Sequence, residues 1–533
     1  MKKNVLLSKI LRGLRSKELH PFDYIYITVF GYLALFAIFA TRYRQFQGII
    51  FLDAIIAVAL MVALRYLVRS SLLGKLANLL EHKIFVSVFF VSVLLVHLCI
   101  AYSLSINPLT SGWDPQTMYQ SSANFTESVK PYPDTTGYLE LFSNTLGIVG
   151  LLNILHEIAS LVHVSDFIDF IIVGNVLAMN AAFLLLYLCA RRIGGNRAAL
   201  LAIFFGLFFI TFSLWSQTFY SDTIGLLFPI ASLYLILRLM DSRKLMGRIL
   251  WSVLLGLCGG IGYLVKPTTI FVLVAFLVLV AVPFLHFHRI HKNFAVFRPM
   301  LLVLPIILLV TIAVTIGGQK VLAKSMDLTL NTMPASHFAM MGLSEDCSQN
   351  ECRYGAWNLP DALALNQFKS IPVYEDYTVD TINSRLSNYG VDGYPIFLSK
   401  KGAWILGDGT FYAYHEGTGA QAPLLHRSSF NRTVQTIMHP TGAAFSVSRN
   451  ILQVAWIAVL LASLTPISLK RPGQSLRTLT LIRLSLLGLL AFLLLFEARS
   501  RYLYLYVPLF ILLASYGLVH YKVANSNSAK KAQ

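Results

Sequence analysis

Two acids, a lysine and a pair of arginines stand apart in this chain, each at the edge of a long apolar run. Asp114 lies in Gly112-Trp113-Asp114-Pro115, Asp222 follows Tyr220-Ser221, Lys266 precedes Pro267, and Arg499 and Arg501 frame Ser500 just before Tyr502. A carboxylate can take a proton from a hydroxyl. Guanidinium groups hold phosphate through directed, charge-assisted bonds. Gathered at one face, the set suits an anionic substrate carried by a lipid. Each residue also has a plainer reading. Asp114 sits among turn formers beside an interfacial Trp, Asp222 could cap a helix, and Lys266 could snorkel to the interface. The arginines could pair with Glu497 or with lipid headgroups. Only a shared location separates the reactive reading from these, so the elements that carry the residues decide.

Those elements are membrane helices. Of 533 residues, 56% are hydrophobic and 13% charged, and the mean hydropathy is +0.65. Soluble domains carry about 25% charged residues. About twelve apolar runs of roughly 17–24 residues match a hydrocarbon core about 30 Å thick. They are 22–40, 48–66, 84–104, 167–190, 198–215, 223–239, 249–265, 268–287, 300–316, 451–469, 479–496 and 502–520. Backbone groups in lipid must be satisfied within the segment, so these runs must be helices.

The net charge of +18 is a matter of topology. Most Lys and Arg fall in alternate short loops, such as Arg191-Arg192, Arg243-Lys244 and Lys470-Arg471. The positive-inside rule puts those loops and both termini in the cytoplasm. Nucleic acid is not the expected partner; membrane lipids are. The same threading brings Asp114, Asp222, Lys266 and Arg499 to Tyr502 out on the opposite face. Residues 137–162 are apolar enough to be a thirteenth span, but crossing there would turn every later basic loop outward. We read them as an interfacial helix on the outer face. The N-terminal segment has no uninterrupted apolar core and reads as a basic amphipathic helix, not a cleaved signal. The polar tail 524–533 is expected to be disordered.

A late outer region, 317–450, changes composition sharply and is long enough for a small domain. Residues 394–398 and 410–414 look like short strands, and 361–368 looks helical. Cys347 and Cys352 are alone in this region. An oxidising exterior permits a disulfide between them; two free thiols are the alternative. No His stands near them at zinc spacing. Asn124-Phe125-Thr126 and Asn431-Arg432-Thr433 match the glycosylation sequon, a pattern common by chance.

The order of these features resembles the GT-C superfamily of integral-membrane glycosyltransferases. That order is an acid in the first large outer loop, an interfacial helix, a short Tyr-Ser-Asp loop, a Lys-Pro turn and a terminal Arg-x-Arg-Tyr. The stretch from Met333 to Gly342, which contains His337, is similar to a Gram-positive branch of that group. The resemblance implies an all-α polytopic fold of about twelve helices, and the strand-like and helical runs above add a mixed α/β extracytoplasmic domain. The parts of the chain would be a basic segment with two accessory helices (1–83), a transmembrane core (84–316), the outer domain (317–450), C-terminal helices (451–520) and a cytoplasmic tail (521–533).

The resemblance also implies a function. A sugar would pass from a polyprenyl-phosphate carrier to a cell-surface glycan or protein on the outer face. Asp114 would be the general base. Lys266, Arg499, Arg501 and Tyr502 would bind the lipid phosphate, while Asp222 and His337 would orient the acceptor or hold a metal. The first outer acid is single here, where several relatives carry a pair, which leaves the role of Mg2+ or Mn2+ open. A twelve-helix transporter or flippase and a non-catalytic assembly scaffold are the competing expectations. The absence of a visible repeat between the two halves speaks against the first.

Overall fold

A computed structural model describes residues 21–40, 50–123, 137–285, 294–347, 352–417, 421, 423–465 and 474–520. The basic N-terminal segment, the Asn124 sequon and the C-terminal tail lie outside these. Among the described residues, eleven helices are long and apolar enough to cross a membrane. Each of the twelve runs read from the sequence falls on a helix, with three adjustments of detail.

The first concerns a single 40-residue helix, Phe167–Gly206. At 1.5 Å per residue it would be about 60 Å long, twice a hydrocarbon core. Gly195 breaks it with φ of +78° and non-helical ψ, a conformation that glycine tolerates. The halves then fold back on each other: a Cβ added at Gly206 would sit 2.4 Å from Phe183. Second, residues 267–285 form a 3-10 turn and a 15-residue helix, shorter than the other spans.

Third, the segment read as interfacial forms Leu146–Leu161. It touches neighbours at their ends. A Cβ at Gly147 would lie 2.1 Å from Leu264 O, and one at Gly150 would lie 2.5 Å from Leu322. Its His156 stacks on Phe167, the first residue of the next helix, with ring centroids 3.3 Å apart. By length and composition, Ser143–Leu161 is also one of the eleven helices able to cross a membrane.

Lipid gives little hydrophobic drive for helices to associate, so close packing and buried polar bonds must hold them. Gly256 and Gly260 let Leu245–Val265 press against Val310 and Val314 of Phe294–Ser325, where added Cβ atoms would come within 2.7 and 2.6 Å. The last helix, Val507–His520, is buried over most of its length between Phe167–Gly206 and Phe445–Ser463. Polar bonds hold the loop before Tyr220. Asn175 donates to the carbonyls of Ser216 and Thr218, and His97 bonds the Ser216 hydroxyl at 2.9 Å.

The described residues of 317–450 do not form the mixed α/β domain expected from the sequence. They hold one antiparallel ribbon, Glu345–Asp346 with Arg353–Tyr354, and the rest of their regular structure is helical. Cys347 and Cys352 continue the ribbon's register by one pair and are bonded, with sulfurs 2.04 Å apart. Residues 394–398 lie in the helix Ile371–Leu406, which Gly390 breaks at φ +63°. Phe397, Lys401 and Trp404 are all buried there, a spacing of four and three that belongs to a helix. A five-residue apolar run cannot show that period. Residues 410–414 are also not a strand: Phe411, Tyr412 and Tyr414 have φ of 55°, 64° and 65°. The helix read at 361–368 is present as Leu359–Ala364 and a 3-10 turn, Leu365–Gln367. The Asn431 sequon is buried, its side chain accepting from the Ser103 hydroxyl, so no glycan could sit there without local unfolding.

Candidate functional site

Asp114 opens the helix Asp114–Ala123. Gly112, at φ +69°, turns the chain into it and donates its N–H to the Gln116 side chain. The turn reading of this motif is therefore correct, and it is also what aims the acid. Tyr138 donates to Asp114 Oδ1 at 3.1 Å and Tyr220 to Oδ2 at 2.8 Å. Burial, then the Asp114 charge, pushes both phenols well above the ordinary tyrosine value, so they stay donors. The Asp114 side chain keeps 36% exposure, enough for a hydroxyl to approach.

Asp222 is different. It starts the short helix Ser221–Gly225 after Tyr220, whose N–H bonds the Thr223 hydroxyl. Its side chain is 0% exposed and ion-paired with Lys266. Burial lowers the Lys266 pKa and Arg501 adds to this, while Asp222 opposes both. The ammonium also faces the rings of Tyr502 and Tyr220, 4.5 and 5.9 Å from their centroids. Asp222 thus holds Lys266 toward the centre of the site and has no surface of its own for a substrate.

Arg499 caps the 3-10 helix Ser500–Tyr506. Its guanidinium pairs with Glu416 and lies 3.8 Å from Glu497. Arg501 Nη2 is 3.8 Å from Asp114 Oδ2, and its Nε is 3.3 Å from Glu416. The Arg501 guanidinium is 5.0 to 5.4 Å from the ring centroids of Trp113, Tyr502 and Tyr220, close enough for cation–π attraction. Tyr502 donates to Glu497 at 2.9 Å. Behind them, Lys401 donates to the carbonyls of Gly342, Leu494 and Phe496. It thereby caps Gln474–Leu495 where that helix gives way to the arginine segment.

The structure brings Asp114, Asp222, Lys266, Arg499, Arg501 and Tyr502 into one cluster. His337 is elsewhere. It is buried in Ala335–Gly342, bonded to the Tyr374 hydroxyl and packed on Phe338. Among the described residues, no contact joins it to Asp114, Asp222, Arg499 or Arg501, and the acid that acts on it is Asp361. Sequence reasoning missed Glu416 and Tyr138. Glu416 did leave a signal: it is the sole acid between Asp408 and Glu497. Among the described residues no three His, Cys, Asp or Glu side chains converge as a metal ion would need. Asp222 is already neutralised by Lys266. The donor set does not fit a divalent ion, and no step is routed through one.

Fold and site together define a polytopic integral membrane protein with a buried cluster of acids, tyrosines and cations where several helices end. Residues 24–521 match the family described as conserved hypothetical integral membrane protein, and the chain belongs to it. No curated protein matches the sequence. Two solved structures of ArnT from Cupriavidus metallidurans are similar in part. The form bound to undecaprenyl phosphate is 14% identical over 82% of this chain and 78% of its own, with a TM-score of 0.34. The apo form is 13% identical over 81% and 77%, with a TM-score of 0.32. Overlays this loose assign neither substrate nor activity.

Proposed function

We propose that this protein is a GT-C-type glycosyltransferase of the Gram-positive branch, moving a sugar from a polyprenyl-phosphate carrier to a cell-surface acceptor on the outer face of the membrane. The observation that carries the reading is the placement of an accessible carboxylate, Asp114, against a buried arginine, Arg501, whose Nη1 has no hydrogen-bond partner among the described residues. A base for the acceptor and a receptor for the departing phosphate then share one pocket. The sequence motifs described above supply the rest of the support.

In this reading Asp114 takes the proton of an acceptor hydroxyl as its oxygen attacks the anomeric carbon. The carbon–oxygen bond to the carrier breaks, and its electron pair leaves with the phosphate. Charge growing on that phosphate is met by Arg501 and Arg499, with Lys266 behind them, a preorganised electrostatic role. Asp222 positions Lys266, and Tyr138 and Tyr220 orient Asp114. No covalent enzyme intermediate is needed, and the anomeric configuration inverts. The helix Leu146–Leu161 and the outer region would roof the groove where carrier and acceptor meet.

Transfer from a polyprenyl-phosphate sugar to surface-polymer acceptors, followed with purified protein in liposomes, tests this directly. Product that depends on Asp114 supports the reading. A flippase would move the lipid without forming product, and a scaffold would do neither. Sidedness gives an independent check. Asp114→Cys, in a chain lacking the exposed Cys99, should react with an impermeant thiol reagent from outside; reaction from the cytoplasm only would sink the proposal.

A further inference from the structure

The arginine pair already faces an anion, and that anion belongs to the protein. Glu416 pairs with Arg499 through one carboxylate oxygen, while the other lies 3.3 Å from Arg501 Nε. The side chains of Arg499, Arg501 and Glu416 are 7%, 7% and 11% exposed. Burial alone would raise the Glu416 pKa, but the two guanidiniums bring it below the ordinary value, so the group stays a carboxylate.

This carboxylate under-fills its place. Glu416 Oε1 and Arg501 Nε face each other at 3.3 Å without an aligned hydrogen bond, and Arg499 Nε and Arg501 Nη1 are buried with no hydrogen-bond partner among the described residues. Each guanidinium carries five N–H donors in a fixed fork, about ten for the pair, and a carboxylate has only two oxygens to offer. The donor's phosphodiester presents two terminal oxygens and the monoester left when the sugar departs presents a third, and their tetrahedral spread lets one phosphate serve both forks at once.

The loop that delivers Glu416 is held in conformations that side chains disfavour. Phe411, Tyr412 and Tyr414 are left-handed, and Gly417, at φ +56°, passes so close to Ser111 that a Cβ would lie 1.9 Å from its carbonyl oxygen. Asp408 holds the loop's start, accepting from Thr410 and Tyr412, and the Ser500 hydroxyl bonds the same carboxylate at 3.2 Å. The loop is thus anchored to the arginine segment at its base, with Glu416 at its far end. Strain kept in a loop of this kind marks an element with a second arrangement.

We propose that Glu416 occupies the place of the carrier phosphate when the site is empty, and that binding of a polyprenyl phosphate exchanges this carboxylate for phosphate. The proposal rests on the reading above that Arg499 and Arg501 hold a polyprenyl phosphate. No covalent bond changes: the Glu416 carboxylate swings out to water with residues 415–417 while Phe411, Tyr412 and Ala413 stay in the core, and the phosphate oxygens take its bonds and the unpaired donors. The exchange also sets specificity. An uncharged lipid has nothing with which to displace Glu416, so the site opens only to an anion. The opposing view makes Glu416 a fixed counter-ion that keeps both arginines in place.

The exchange makes two demands, on affinity and on loop motion, and the second separates it from a fixed counter-ion. Farnesyl phosphate, a short polyprenyl phosphate, is titrated into the full-length protein in detergent, with farnesol as the uncharged control. Because apparent affinity scales with the fraction of open site, Glu416→Gln should bind farnesyl phosphate about tenfold more tightly than wild type. Equal or weaker binding by Glu416→Gln overturns the exchange and leaves the phosphate site standing. Failure of wild type and variant alike to bind removes the phosphate site and this proposal with it. Hydrogen exchange on the wild-type protein needs no variant. Farnesyl phosphate should speed exchange at the amides of residues 415–417, and farnesol should not. Slowed or unchanged exchange, or the same response to farnesol, overturns the proposal.

Discussion

Arg501 Nη2 lies 3.8 Å from Asp114 Oδ2, although the two residues come from opposite ends of the chain. Trp113, next to the acid, stacks against the same guanidinium at 5.0 Å, so acid and arginine are fixed by a shared wall. Proton removal from an acceptor and departure of a phosphate can then occur within one pocket.

Asp114→Asn keeps the shape of the acid and removes its basicity. General-base catalysis contributes about a hundredfold to ten-thousandfold, so transfer in liposomes should fall by at least about a hundredfold. The melting temperature should change little, since one tyrosine bond to the remaining carbonyl oxygen survives. Turnover near that of wild type would return Asp114 to the role of a turn residue.

Arg501→Lys keeps the charge but loses the planar fork and its packing between three aromatic rings. One lost charge-assisted bond costs about 1.5–3 kcal/mol, or roughly a tenfold to hundredfold loss in donor use. If the phosphate contact strengthens as the carrier leaves, turnover falls along with apparent donor affinity. Unchanged kinetics in a donor titration would leave Arg501 as a headgroup anchor.

Asp222 and Lys266 form a buried pair, and removing one partner strands the other. Asp222→Asn should cost about 3–5 kcal/mol, read as a large drop in melting temperature. Asp222→Leu combined with Lys266→Met should restore stability, since a well-packed apolar pair replaces the ions, yet transfer should stay impaired. Recovery of full activity in the double variant would show the pair to be structural only.

His337 is a packing residue in this structure. Burial pulls its pKa from 6.5 down to about 4. Between those values the unfolded chain binds a proton that the folded chain refuses, so its contribution to stability is full above about pH 6.5 and is lost as pH falls toward 4. His337→Gln should flatten the pH dependence of the melting temperature in that window and change transfer less than a few-fold. A strong loss of turnover at unchanged stability would bring His337 back into the reaction.

Much of the framework was legible in the sequence. The spans were read from length and hydropathy because lipid leaves the backbone one solution. Asp114, Asp222, Lys266, Arg499 and Arg501 were visible because a polar residue at the edge of an apolar run is costly and therefore conspicuous. The strands expected at 394–398 and 410–414 failed for a local reason. Short apolar runs carry no decisive period, and left-handed residues at Phe411, Tyr412 and Tyr414 leave no compositional mark.

Sequence alone determined a polytopic helical membrane protein with acids and cations at helix ends, since hydropathy and charge act locally along the chain. Tertiary structure alone decided which of those charges meet. It set Asp114 against Arg501, buried Asp222 under Lys266, sent His337 away to Tyr374, and brought Glu416 into the arginine pair. Pairing in three dimensions depends on how helices rotate and where loops return. No period or composition encodes that, because a charge is selected by the partner that packing places beside it.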